Sequence, residues 1–147
     1  MKKVLHNRVY NTDSSYLLGS WTNNAQDEST YFVEKLYQKR SGEFFLYGKG
    51  GSNSRFAKQV GSQWLSGEKI VPLIWDEAKA WAEKHLSPEE YETHFGDITM
   101  TDERQAFTVY LSTGTVQKIR RSCAMSGENM SVYIENLVWA DTRKKGE

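Results

Sequence analysis

Apolar and polar positions first alternate with the period of strands. Lys3 to Tyr10 and Tyr16 to Trp21 read as two short strands joined by the polar turn Asn11 to Ser14. After a polar loop from Thr22 to Ser29, Thr30–Tyr37 and Glu43–Gly48 flank the Gly-closed turn Gln38 to Gly42, a pattern that predicts a hairpin. Trp64 and the run Ser66 to Leu73 add a turn and an edge strand, with Pro72 ending its ladder. The period then changes: Ala78, Trp81, Ala82 and His85 share one face of a helix from Trp75 to Leu86. Ser87-Pro88-Glu89-Glu90 is a capping box with proline at the first helical position, opening a short helix that ends near Phe95. Residues 1–98 are therefore expected to be α+β, an antiparallel β-meander followed by two helices.

Residues 99–104 show no periodicity and read as a linker. Beyond it, over 105–147, Phe107, Val109 and Leu111 alternate with Ala106, Thr108 and Tyr110, the pattern of one strand with one face buried. Ser112 is a good N-cap for a helix with Val116, Ile119 and Cys123 on one stripe, and Gly127 stops it. A second helix starts at Asn129, carries Met130, Ile134, Leu137 and Val138 on one face, and runs to about Arg143. A lone strand leaves its backbone groups unpaired and so short a segment buries too little surface alone, so this unit requires a partner.

The run Phe107-Thr108-Val109-Tyr110-Leu111-Ser112, followed by Val116, Ile119, Gly127, Asn129, Ser131 and Ile134, resembles the ribbon-helix-helix fold of Arc- and MetJ-type repressors over about a quarter of the chain. The resemblance implies a homodimer whose two strands pair antiparallel and enter the DNA major groove. Its core would be Phe107, Val109, Leu111, Ile119, Ile134, Leu137 and Val138, and its base-facing residues Ala106, Thr108 and Tyr110. The family usually places long polar side chains at those three positions. Here only Thr108 and Tyr110 can hydrogen bond and Ala106 offers a methyl, so selectivity among operator sequences is expected to be weak. The start of the second helix, Asn129 to Ser131, matches the family's phosphate grip, and Lys118, Arg120 and Arg121 are further cations within reach of phosphates.

Net charge is zero but unevenly spread. Residues 1–69 hold ten Lys/Arg against six Asp/Glu, residues 70–98 two against seven, and residues 99–147 seven against six. A dedicated DNA-binding unit is ordinarily more basic than this last +1, so modest, salt-sensitive affinity is expected. Within the basic N-terminal portion, Lys49, Gly50, Gly51, Ser52 and Arg55 form a Gly-rich run that is a candidate phosphate or partner loop, although it lacks both the P-loop spacing and the dinucleotide fingerprint.

No apolar run approaches the length of a membrane span and no signal-peptide pattern opens the chain, so a cytoplasmic location is expected. The single cysteine, Cys123, excludes an intrachain disulfide and reads as a small buried hydrophobe. His85 and His94 lie at no metal-ligand spacing on one helix face, and no G-x-S-x-G nucleophile motif occurs. Neither metal, cofactor nor catalytic residue is expected, and the chain reads as a binding protein rather than an enzyme.

A second resemblance covers residues 1–96. Phe44 to Gly51, Gly67 to Leu73 and Glu77 to Glu83 look like a small domain common in plasmid, phage and integrative-element proteins of Gram-positive bacteria. Some proteins with that domain are anti-CRISPR inhibitors of type II RNA-guided nucleases. The resemblance implies a counter-defence protein that binds such a nuclease or its guide RNA as a dimer. The alternative it leaves open is a transcriptional autoregulator of a phage or plasmid operon, with operator DNA as partner.

Overall fold

The computed structural model describes the backbone of residues 1–144 and the side chains of residues 1–141. Of the expected C-terminal domain, 105–147, the last three residues lie outside the described residues. The chain is α+β and divides into two compact units, Met1–Thr99 and Met100–Glu147.

In the first unit, β1 (Lys2–Leu5) and β2 (Arg8–Asn11) form a hairpin where one strand was expected from Lys3 to Tyr10. His6 and Asn7 take positive φ, 51° and 65°, and so make a two-residue turn whose twist matches the strands. The Asn side chain tolerates this conformation, a local cue that the alternation of the flanking residues overrides on paper. A 3-10 turn, Thr12–Ser14, follows, with the Asn11 carboxamide accepting from the Asp13 amide.

The main sheet contains β3 (Tyr16–Thr22), β4 (Phe32–Gln38), β5 (Phe44–Gly50) and β8 (Gly67–Leu73) in the order β3-β4-β5-β8, all antiparallel. The first three make the expected meander. A small hairpin, β6 (Lys58–Val60) with β7 (Gln63–Leu65), is inserted before β8 and was not foreseen, its strands being only three residues each. Pro72 does not end the ladder; it lies opposite Phe45 within β8, where an edge strand tolerates the missing N–H.

Each face of the sheet is covered. Leu18, Leu36 and Phe44 pack with Ala78 and Ala82 of α1 (Trp75–His85) and Phe95 of α2 (Pro88–Phe95), forming one core. On the other face Tyr37, Phe45 and Ile70 pack against Tyr10, with Met1 and Leu5 beside them. The α2 capping box forms as its sequence requires: the Ser87 hydroxyl accepts from the Glu90 amide at 3.2 Å and the Ser87 amide donates to the Glu90 carboxylate at 3.3 Å. Lacking a capping side chain at Ile74, α1 uses half of this device, with Glu77 reaching back to the Ile74 amide at 3.0 Å.

In the second unit, α3 (Thr113–Ser126) is capped by Ser112, whose hydroxyl accepts from the Thr115 amide, and ends at Gly127 with φ 77°. The following helix, α4 (Met130–Lys144), is capped by Asn129, whose side chain accepts from the Val132 amide at 2.9 Å. The strand expected over residues 106–111 is not formed within one chain. Among the described residues, 106–111 form no strand and pair with none.

Packing in the first unit is tight where glycine faces the helix side of β5. A Cβ at Gly48 would lie 2.0 Å from the Phe56 ring. Gly48→Ala is therefore expected to cost about 1–3 kcal/mol of stability through overpacking, seen as a lower urea midpoint by circular dichroism. An unchanged midpoint would mean the ring shifts freely.

Candidate nucleic-acid interface

The second unit holds most of the residues singled out for nucleic acid. Arg104 pairs with Glu135 of α4. Downstream, Phe107 is 85% exposed and Tyr110 99%, and Val109 and Leu111 are each about half exposed. Ile134, Leu137 and Val138 of α4 are also exposed to a similar degree, whereas Ile119 and Cys123 on α3 are half-buried. The residues expected to form a dimer core thus all lie in one unit, and apart from Ile119 each is about half exposed or more. Met130, expected on the apolar face of α4, is also half exposed, and Met125 and Val132 are exposed apolar residues that the sequence pattern placed on no stripe.

On α3, Lys118 and Arg121 are one turn apart and line an open concavity of about 370 Å³ together with Gly114, Gln117, Ser122 and Met125. Arg120 is exposed but lies outside that lining. None of the three cations forms an ion pair among the described residues. At the start of α4, the Asn129 carboxamide satisfies one of the four orphan amides of the helix. Glu128 is held beside it by a hydrogen bond from Asn136 at 2.9 Å. A carboxylate there already balances the positive end of the helix and competes with an incoming phosphate, while Ser131 is exposed.

The Gly-rich run of the first unit is arranged differently from a phosphate nest. Gly48 and Gly50 belong to β5, and the amides of Gly51, Asn53 and Ser54 donate to the carbonyls of Tyr31, Ser29 and Gly51. A Cβ at Gly51 would meet the Glu28 and Ser29 carbonyls at 2.1 and 2.6 Å, so its glycine allows close backbone approach rather than ligand access. Lys49 points to the sheet face opposite Gly48 and Gly50, whereas Arg55 reaches Glu34 on their side. The structure therefore does not bring Lys49 and Arg55 together.

What sequence reading missed is the cluster Arg55 belongs to. Glu34 is 4% exposed, yet alternation in β4 sets it between the inward Phe32 and Leu36. Its carboxylate accepts from the Trp81 indole at 3.2 Å and from the Arg55 guanidinium at 3.5 Å, and that guanidinium also lies 4.6 Å over the Phe32 ring. His85 packs 4.2 Å from Trp21 and 5.0 Å from Trp81. A charged residue on an apolar strand face is the signal that would have found the cluster, since such a group needs hydrogen-bonding partners. With no buried side-chain nitrogen or oxygen left unpartnered among the described residues, the cluster acts as a clamp from α1 to the sheet.

Burial holds the His85 pKa below its ordinary value of 6.5; nearby Glu34 opposes the shift, while Lys84 and Arg55 reinforce it. The unfolded chain therefore binds the proton more readily, and the stability due to neutral His85 is complete above pH 6.5 and lost as pH falls below it. Urea midpoints measured across this range are expected to drop for the natural chain and to drop less for His85→Gln. Parallel profiles would remove His85 from the account. In comparison with known proteins, no family model, curated protein or solved structure matches the chain.

Proposed function

We propose that the chain is a homodimeric DNA-binding regulator of ribbon-helix-helix type, in which two copies of residues 105–111 pair to form the ribbon. The observation that carries this reading is the second unit's exposed apolar residues, Phe107, Val109, Leu111, Ile134 and Leu137, the first three on a segment that pairs with no strand among the described residues. A second copy satisfies both needs at once: strand pairing fills the hydrogen bonds, and the apolar faces bury one another. Lys118, Arg120 and Arg121 supply cations for phosphates, and the modest surplus of charge makes binding sensitive to salt.

Light scattering is expected to give a dimer at micromolar concentration, and Leu137→Glu, which places a charge in the paired surface, is expected to give an unfolded or monomeric second unit that no longer binds duplex DNA. A monodisperse folded monomer of the natural chain would refute the dimer. In a salt titration, Lys118→Ala with Arg121→Ala is expected to reduce the slope of log affinity by about 3–4 for the dimer if all four cations meet phosphates.

A counter-defence role is the second reading, and one feature of the first unit favours it. Asp76, Glu83, Glu89 and Glu92 are exposed on α1 and α2 and have no ion-pair partner among the described residues. Such an acidic surface complements the basic channel in which an RNA-guided nuclease holds nucleic acid. Glu90 and Glu77 are committed to helix caps, so the informative charge reversal is Glu83, Glu89 and Glu92 to lysine. Inhibition by docking is expected to fall at least tenfold in a cleavage assay, because the reversal sets three positive charges against a basic surface. Cleavage unaffected by the natural protein at large molar excess would leave the regulator alone.

A further inference from the structure

The side of the 105–111 segment that alternates away from the apolar residues is poor in the chemistry that ordinarily reads bases. It carries Ala106, Thr108 and Tyr110, all exposed, and none of the three side chains makes a hydrogen bond among the described residues. Arginine, lysine, asparagine and glutamine, which form paired hydrogen bonds to guanine or adenine edges, are absent from these positions. The two hydroxyls are single-point groups. Each is satisfied by acceptors or donors of several bases, or by a phosphate oxygen, so they add affinity with little selection.

What Ala106 and Thr108 do present is one methyl group apiece. In the major groove the base edges offer only one apolar group, the C5-methyl of thymine. Where guanine or cytosine lies beneath the segment, those two methyls would cover polar edges and strip water from them without a replacement hydrogen bond. Above thymine the same methyls bury apolar surface against apolar surface. We infer that this segment selects A·T-rich DNA by methyl-to-methyl contact from Ala106 and Thr108 to thymine, an inference that rests on the DNA-binding reading above. Two-fold symmetry supplies the pair of residues twice, so small increments accumulate into a usable preference while the cations of α3 hold the backbone.

Deoxyuridine tests this directly, since it differs from thymidine by the methyl alone. The full chain would be titrated by fluorescence anisotropy, at one salt concentration, into three duplexes of equal length: dA·dT, the same duplex with dU for dT, and one of G·C pairs. The dA·dT duplex is expected to bind tightest, with the dU duplex weaker by about three- to tenfold, given about fourfold per fully buried methyl and incomplete burial here. In the double variant Ala106→Gly, Thr108→Ser the hydroxyl remains and both methyls are gone, so the dT and dU duplexes are expected to bind alike. Thr108→Val keeps the branching methyl and is expected to keep the preference. Both variants sit on exposed positions, and light scattering confirms that they assemble as the natural chain does. Equal binding of all three duplexes by the natural chain, or tighter binding of the G·C duplex, overturns the inference and leaves DNA binding standing. Failure to bind any duplex overturns both.

Discussion

An extended backbone cannot satisfy itself. Every strand exposes a row of N–H and C=O groups that must find partners outside it, and the two units of this chain meet that demand differently. In Met1–Thr99 each strand has a neighbour within the chain, and both faces of the main sheet are covered, by α1 and α2 on one side and by the β1/β2 hairpin on the other. Among the described residues of Met100–Glu147 the segment before α3 has no such neighbour, and the apolar residues that alternate along it are about half exposed or more. Exposed apolar residues and a segment without strand pairing are two deficits that the proposed pairing with a second copy would remove together.

Within the first unit the demand for satisfaction reaches the side chains as well. Glu34 replaces what would be an apolar residue on the helix-facing side of β4, and it is tolerated because Trp81 from α1 and Arg55 from the loop after β5 both donate to it. A buried carboxylate adds little net stability over a well-packed hydrophobe, but removing one partner leaves an uncompensated group, so the pair fixes how α1 lies on the sheet. The glycines of β5 serve the same geometry. Gly48 and Gly50 admit Phe56 and Ser54 against the sheet, which brings the loop carrying Arg55 within reach of Glu34. A run that looks like a phosphate cradle by composition is thus a place where backbone and ring pack closely.

This also explains which parts were legible in the sequence. Helix limits were readable because caps are local: Ser87 with Glu90, Ser112, Gly127 and Asn129 act within a few residues of themselves. The meander was readable from alternation in β4 and β5. The turn at His6-Asn7 was hidden because alternation runs through it, and the β6/β7 hairpin because three-residue strands carry almost no period. The Glu34 cluster joins residues 21, 34, 55, 81 and 85, contacts made only after the sheet and α1 come together. For Ala106, Thr108 and Tyr110, chemistry was readable but placement was not, since a segment that pairs with no strand among the described residues has no register to read.

Coupling of assembly to recognition follows if the ribbon exists only in the paired state. Binding to DNA would then draw on the dimer alone, and at concentrations below the dimer's dissociation constant the amount of competent protein rises with the square of total chain. A regulator built this way is silent when scarce and engages over a narrow range of expression. Weak base chemistry is compatible with such a design, because duplicated small contacts and phosphate neutralisation are both counted once per protomer, and half of each disappears when the pair comes apart. The apolar surface of α4 and the alternation of residues 106–111 would then set the threshold, and the methyls and hydroxyls of the opposite side the preference.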